Sequence, residues 1–189
     1  FAAGQNTTAS GTHSFVAGRN STATGDESVA MGRFVTASGD NSIALGQDVK
    51  ASGRNSVALG RVATASASFS TALGNATIAE SYGETALGSY NATVTVNSAT
   101  SWDTNDRLLV VGNGTNNTNR SDALVILKNG NVGIGDSTPT EGTLVVSGTS
   151  ILNGALTLDP TGTSSYTLPT ARGGAGEVLT IDNATTGTT

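Results

Sequence analysis

The sequence predicts an all-β solenoid for its first 90 residues, because the chain repeats itself every 14 residues there without an insertion. Glycine recurs at this period, and a second glycine series falls midway until Ala67 and Ser81 replace it. The first series occupies positions 4, 18, 32, 46, 60, 74 and 88, and the second occupies 11, 25, 39 and 53. The resulting step of seven residues is too short for a helical hairpin but fits one short strand and one tight turn. Glycine is expected to supply the positive φ of these turns.

Alanine is predicted to fill the inside of each coil. It stands two positions before almost every site of the two series, with Val16 as the single substitute. Because side chains alternate along a strand, Ser28 and Ala30 point to one face while Val29 and Met31 point to the other. The alanine face therefore looks into a space that admits almost nothing larger, which is the interior of a thin solenoid.

The two strands of each coil differ on their outward faces. One strand carries large apolar residues, which define the apolar face: Phe15, Val29, Met31, Ile43, Leu45, Val57, Leu59, Leu73 and Leu87. The other carries mostly hydroxyl residues, which define the hydroxyl face: Thr8, Ser10, Thr22, Thr24, Thr36, Ser38, Lys50, Ser52, Thr64 and Ser66. The chain cannot cover the apolar face with its own core, since the interior is already full of alanine. A continuous apolar surface of this kind indicates an interface.

The run Asn41-Ser42-Ile43-Ala44-Leu45-Gly46, then Ala51-Ser52-Gly53, then Asn55-Ser56-Val57-Ala58-Leu59-Gly60 resembles the head repeat of YadA-like trimeric autotransporter adhesins. The resemblance covers about residues 1–90. It implies a left-handed parallel β-roll, three chains packed around one axis through the apolar strand, and a role in adhesion. The last two coils depart from the pattern, with Thr71 and Thr85 in apolar slots and Ile78 and Glu80 on the hydroxyl side. We interpret this as the approach to the end of the solenoid.

Composition and charge exclude several classes of function. The net charge is −5 and the nine basic residues are scattered, so no electrostatic footprint for nucleic acid is present. The chain has no cysteine, which excludes disulfide scaffolds and thiolate sites. No run reaches the apolar length of a membrane span, and no signal peptide opens the chain. Because the sequence begins inside a repeat and stops without a terminal element, we expect a segment of a longer fibre.

A different unit is predicted after residue 90. Apolar runs at 107–111 and 123–127, the second leading into the turn signal Lys128-Asn129-Gly130-Asn131, predict a small antiparallel unit within residues 91–135. The polar connection 112–122 is expected to be a surface loop able to carry contacts.

The remaining residues, 136–189, are predicted to form an intertwined trimeric stalk. The run 133–139 followed by 144–148 resembles a segment common in bacterial and phage fibre proteins, which often precedes a stalk. Short strand signals follow at 155–158, 166–168 and 178–181, and the absence of a sustained 3.6-residue pattern predicts almost no helix.

Few residues suggest chemistry, and we expect neither an enzyme nor a cofactor. His13, the only histidine, occupies a repeat slot that holds Glu27, Asn41 and Asn55 elsewhere. Asp103 and Asp106 are weak candidates for calcium ligands, although the spacing of a known loop is missing. Trp102 either packs a junction between modules or anchors a partner.

The leading hypothesis is a structural and adhesive segment of a homotrimeric fibre, extracellular and on a bacterial cell surface, with a glycan or protein receptor. The alternatives are a virion tail fibre segment that recognises a host and an ice-binding solenoid that uses the Thr/Ser ladder. The residues predicted to face a partner are Thr22, Thr24, Thr36, Ser38, Trp102, Asn116, Asn117 and Arg120.

Overall fold

The structure, a computed structural model, describes residues 1–150, which consist of strands and turns and contain no helix. The long strands of the coils are β1 (Ala2–Gln5), β3 (Phe15–Arg19), β5 (Val29–Arg33), β7 (Ile43–Gln47), β9 (Val57–Arg61), β11 (Thr71–Asn75) and β13 (Thr85–Ser89). The short strands are β2 (Thr8–Ala9), β4 (Thr22–Ala23), β6 (Thr36–Ala37), β8 (Lys50–Ala51), β10 (Thr64–Ala65) and β12 (Ile78–Ala79). Four strands follow: β14 (Arg107–Asn113), β15 (Asp122–Leu127), β16 (Val132–Ile134) and β17 (Leu144–Val146). The strand signals at 155–158, 166–168 and 178–181, and most of the predicted stalk, lie outside the described residues.

The coils stack as a parallel solenoid, which confirms the predicted all-β class. Each long strand pairs in parallel with the next, and each partner is the residue one repeat further on, as Ile43 pairs with Val57. The short strands form a second parallel sheet of six strands on the other side of the coil, where Thr22 pairs with Thr36. Like residues therefore stand above one another on both sides.

The interior is lined by alanine, as predicted. The alanines from Ala23 to Ala86 in the repeat slot are fully buried, and Val16 is buried in the same position. Serine shares this space because its hydroxyl can bond to the backbone: Ser28 Oγ donates to the Gly25 carbonyl at 2.6 Å. A third inward position, just before each short strand, holds the buried Val35 and Val49 and was not recognised in the sequence.

The positive φ predicted for glycine occurs in the first series, but inside the long strands and not in turns, and the prediction is wrong for the second series. Gly46 has φ +132° and lies inside a long strand, whereas the second series has ordinary φ values. The turn residues with φ between 52° and 59° are not glycines, and they recur every seven residues, as His13, Asn20 and Asn41 do. Asparagine adopts this left-handed conformation readily, which explains its frequency in these slots. Glycine in the second series is required by space, since a Cβ on Gly25 would stand 2.1 Å from the Gly39 carbonyl oxygen.

The strands after the coils extend the sheet of long strands. β14 pairs in parallel with β13, and Gly88 is matched by Gly112. β15 then pairs with β14, and β16 with β15, in the antiparallel arrangement that the apolar runs and the turn at Asn129 predict. β17 completes a sheet of eleven strands.

The space between coils gives the first prediction. Gly46→Ala should destabilise the chain, because the added methyl would stand 1.9 Å from the Gly60 carbonyl oxygen and alanine would have to adopt φ +132°. Overpacking of this kind costs about 1–3 kcal/mol before backbone strain is added. Thermal and urea unfolding of the full chain measure the loss.

Gly83→Asn is the matched control for this substitution. Gly83 has φ +67°, a Cβ there would meet nothing within 4 Å, and the position belongs to the slot that asparagine fills in other coils. We expect its stability to stay within about 0.5 kcal/mol of the wild type. Equal losses in the two variants would contradict this account of the glycine ladder.

Candidate functional site

The apolar face consists of two parallel rows on the outside of the long strands. The first row is Phe15, Val29, Ile43, Val57, Thr71 and Thr85, and the second is Ala17, Met31, Leu45, Leu59, Leu73 and Leu87. All nine residues of the predicted apolar face lie in these rows. Met31, Ile43 and Leu73 remain 43%, 38% and 42% exposed. The described chain therefore presents an apolar surface that it does not cover.

Both rows continue without a gap beyond the repeat. Leu109 stands beside Thr85 in the first row, and Val111 stands beside Leu87 in the second. The first row proceeds through Ile126, Val132 and Leu144, and the second through Leu124, Ile134 and Val146. Paired residues in a sheet share a face, and the residues between them, Val110 and Val125, are fully buried on the other side.

Sequence reasoning placed the apolar runs at 107–111 and 123–127 in a separate unit and did not connect them to the apolar face. The signal that could have connected them is the order apolar, apolar, apolar, glycine at Leu109-Val110-Val111-Gly112. It has the pattern of Val57-Ala58-Leu59-Gly60 and follows the aligned run Thr85-Ala86-Leu87-Gly88 at a spacing of 24 residues, not 14, because an excursion of the chain separates the two strands.

The excursion, residues 90–106, closes the end of the short-strand sheet. The Asn91 side chain takes the place of a further strand beside β12: its Oδ1 accepts from Ile78 N at 2.8 Å and its Nδ2 donates to Ile78 O at 2.9 Å. Further along, the carbonyls of Ser98 and Ala99 accept from the backbone N–H of Tyr82 and Ser68. These hydrogen bonds satisfy backbone groups at the end of the short-strand sheet. The chain then returns to the long-strand sheet as β14.

A buried ion pair holds the excursion against β14 and β15. Arg107 Nη2 donates to Asp122 Oδ2 at 2.8 Å, and these side chains are only 3% and 0% exposed. Arg107 Nη1 donates to the Ala92 carbonyl at 2.8 Å, while Asp122 Oδ1 accepts from Ala92 N at 2.9 Å. Arg107 also reaches the Ser137 carbonyl at 3.1 Å, after β16. One arginine therefore joins four segments and fixes the register in which the apolar rows continue.

Glu84 is a buried carboxylate in a slot that holds serine in the preceding coils. Its Oε2 accepts from the backbone N–H of Glu80 and of Ser81, both at 2.9 Å. Burial raises the pKa of the Glu84 carboxyl, and this effect outweighs the two backbone N–H donors and Arg107, which act in the opposite direction. The carboxyl group therefore ionises less readily in the folded chain than in the unfolded chain.

The two predicted metal ligands, Asp103 and Asp106, accept hydrogen bonds from the backbone of the excursion. Asp106 is buried, and its two oxygens accept from Asn97 N at 2.7 Å and from Ser98 N at 2.9 Å. Asp103 Oδ1 accepts from Asn105 N at 2.9 Å, which closes a tight turn. No group of three or more potential metal ligands occurs within residues 1–150.

The predicted partner-facing residues divide into two groups. Thr24 and Ser38 are exposed, and Thr22 and Thr36 half-exposed, on the hydroxyl face, where the threonines form in-register rungs. The other group, Trp102, Asn116, Asn117 and Arg120, lies on the excursion and the loop 112–122.

Trp102 and Arg120 both contact their own chain. Trp102 is 55% exposed, and Lys128 Nζ lies 5.4 Å from its ring. Arg120 donates to the carbonyls of Ala76 and Asn91 at 3.0 Å each, so it fastens the loop to the coils. Asn116 and Asn117 remain exposed beside it.

Comparison with known proteins identifies the repeat. The family model described as the YadA head domain repeat matches residues 1–21, 9–34, 23–48 and 51–77. The matched residues lie within 1–77, which confirms the resemblance to YadA-like head repeats for this part of the chain. No curated protein matches the sequence. Within residues 1–150 the structure contains no helix able to cross a lipid bilayer.

Glu84 gives a prediction about pH. A carboxyl group whose pKa is higher in the folded chain than its unfolded value of about 4.3 stabilises the fold at low pH. This contribution is complete below the unfolded pKa and is lost as pH rises through the folded pKa. Glu84→Gln retains an acceptor oxygen and removes the charge. We expect its melting temperature, relative to the wild type, to rise between pH 4 and pH 8. Calorimetry at the two pH values measures this difference.

Glu141→Gln serves as the control, since Glu141 is exposed in a loop. Its melting temperature relative to the wild type should not change in the same direction. A constant difference between Glu84→Gln and the wild type at both pH values would show that burial does not govern this carboxyl.

Proposed function

We propose that the chain is an adhesive segment of a homotrimeric bacterial surface fibre, and that three copies pack through the apolar face. The observation that carries this proposal is the pair of exposed apolar rows running in register over the sheet of eleven strands. The interior cannot accept these side chains, because fully buried alanines already fill it. The YadA head repeat in residues 1–77 supports the same assignment, since domains of this type are trimeric in general.

The energy available from the rows is sufficient for assembly. A large apolar side chain contributes about 1.5–3 kcal/mol on full burial, and one that is still about a third exposed contributes about 0.5–1 kcal/mol more when a partner covers it. Over three chains, the nine residues of the coils and the eight of β14–β17 would contribute about 25–50 kcal/mol, against about 8–30 kcal/mol of lost freedom for the two association steps.

The surfaces left outside the assembly are the hydroxyl face and the loop 112–122. Each trimer presents the same residues on three sides, and each hydroxyl face repeats threonine in β2, β4, β6 and β10, with Lys50 and Ile78 in the same slot of β8 and β12. Weak contacts to a surface glycan or protein therefore add by avidity. The match to a bacterial surface family favours this assignment over the virion tail fibre.

Disrupting the apolar face should dissociate the trimer. Ile43→Asp with Leu45→Asp places two charges in the centre of both rows without touching the interior. We expect the wild-type chain to sediment with the mass of three copies and this variant with the mass of one, since unpaired charges are costly in an apolar contact.

The control is Thr36→Asp with Ser38→Asp, which makes the same charge change on the hydroxyl face. Its mass should remain that of three copies. A wild-type chain with the mass of one copy, or an Ile43/Leu45 variant that stays trimeric with an unchanged melting temperature, would refute the assignment.

Adhesion is tested with the trimeric chain coupled to fluorescent beads. We expect beads that carry the wild type to bind a glycan array or an epithelial cell layer, and beads that carry the trimeric Thr36/Ser38 variant to bind at least about tenfold less, because avidity multiplies each lost contact. Equal retention of the two bead types would show that the hydroxyl face of these coils is not the binding surface.

A further inference from the structure

We propose that charged turns on either side of the apolar face align neighbouring copies in the trimer. In this alignment each coil of one copy meets the next coil of its neighbour, an offset of one coil. This inference rests on the proposed trimer and specifies how its chains are aligned. The leading ridge is the turn before each long strand: Thr12-His13, Asp26-Glu27, Asp40-Asn41, Arg54-Asn55 and Ser68-Phe69. The trailing ridge is the turn after it: Arg19-Asn20, Arg33-Phe34, Gln47-Asp48, Arg61-Val62 and Asn75-Ala76.

The two ridges carry complementary charge. The leading ridge has Asp26, Glu27 and Asp40, followed by Arg54, and the trailing ridge has Arg19 and Arg33, followed by Asp48 and Arg61. All eight side chains belong to exposed residues. The single ion pair within residues 1–150 is Arg107 with Asp122, so none of the eight has an opposite charge within 4.0 Å among these residues.

Cyclic symmetry brings these ridges together. In a trimer with parallel chains the contact is heterologous, so the trailing ridge of each copy faces the leading ridge of the next. Because the solenoid advances by one coil in 14 residues and the two turns are seven residues apart, we expect the end of a long strand to lie further along the axis than its beginning. Along the axis, the trailing turn of a coil therefore lies above the leading turn of the same coil and below the leading turn of the next coil.

The sequence distinguishes two alignments. If equivalent coils met, Asp26 would face Arg33, but Asp40 would face Asp48 and Arg54 would face Arg61. If each trailing turn met the leading turn of the next coil, Arg19 would face Asp26 and Glu27, and Arg33 would face Asp40. Asp48 would then face Arg54. The one-coil offset pairs opposite charges at three successive levels, whereas the alignment without offset creates two like-charge contacts.

The next level supports the same offset with apolar residues. Val62 on the trailing ridge and Phe69 on the leading ridge are 38% and 49% exposed, and the one-coil offset places them together. Both have positive φ, at 56° and 59°, so these residue types occupy a backbone conformation that suits them poorly. Phe69 packs edge-on against Tyr82 of its own chain, with ring centroids 5.4 Å apart, and a contact with a neighbouring copy would cover its exposed part together with Val62.

Cysteine pairs test the alignment directly, because the chain has no cysteine of its own. Val62→Cys with Phe69→Cys should give disulfide-linked trimers on a non-reducing gel, since each copy would be joined to the next. Val62→Cys with Asn55→Cys, which tests the alignment of equivalent coils, should give none. Cross-linking of the second pair in place of the first, or of neither pair in a chain with trimeric mass, overturns the proposal. A wild-type chain with the mass of one copy would instead refute the trimer.

A charge swap tests the ionic contribution. Asp48 and Arg54 lie at opposite ends of the short-strand side of a coil, separated by β8. In the trimer, Asp48→Lys alone and Arg54→Glu alone create like-charge contacts, and each should raise the dissociation constant roughly tenfold over three contacts. The two changes together should restore most of the loss. Salt should reduce the effect of each single change.

Lys50→Glu, on the hydroxyl face between these positions, makes a charge reversal of the same size away from the ridges. It should leave the dissociation constant within about twofold of the wild type. A double variant whose loss equals the sum of the two single losses would show that Asp48 and Arg54 do not meet across the interface, which overturns the proposal.

Discussion

The stacking of backbone on backbone is the constraint on which the other features of this chain depend. Successive coils approach so closely at the glycines that a Cβ on Gly46 would stand 1.9 Å from the next carbonyl oxygen. The same narrow coil leaves room inside mainly for alanine, serine and an occasional valine or threonine, and Glu84 is the one large side chain in an inward slot of the coils. Large side chains therefore have to point outward, and since they recur at one position of the repeat, they form rows. The exposed apolar face follows from the thinness of the coil.

The junction after the last repeat shows how the chain keeps these rows while it changes its topology. A new strand could meet β13 in either of two alternations, and a shift by one residue would turn every apolar side chain to the wrong face. The buried pair of Arg107 and Asp122, bonded to both backbone groups of Ala92, fixes the strand in the register that matches Gly88 with Gly112. Breaking a buried pair of this kind is costly, about 3–5 kcal/mol when one partner is removed. The polar network thus maintains an apolar surface.

The sequence predicts the coils well and the junction poorly, for a physical reason. In the coils every structural requirement recurs each 14 residues, so Ala44 and Leu45 can be assigned to the interior and the outside from their periodicity, whereas Gly46, expected in a turn, lies inside a strand. The left-handed turn positions were missed because residues as different as His13 and Val62 fill them. The continuation of the apolar rows depends on the pairing of β13 with β14, which are separated by the excursion, and on Glu84 and Arg107, which occur once. Single long-range contacts leave no pattern in a sequence.

A repeated apolar face has a weakness that charge can correct. If two such faces slide past each other by one coil, Ile43 takes the place of Val57 and Leu45 the place of Leu59, so the buried area scarcely changes. Apolar burial can hold copies together but discriminates weakly between alignments. The charges on the turns are not periodic: Asp26, Asp40 and Arg54 differ in sign along one ridge, as Arg33 and Asp48 do along the other. Exposed ion pairs contribute little affinity, yet like charges penalise each wrong alignment, so these turns can select the register that the apolar rows leave open.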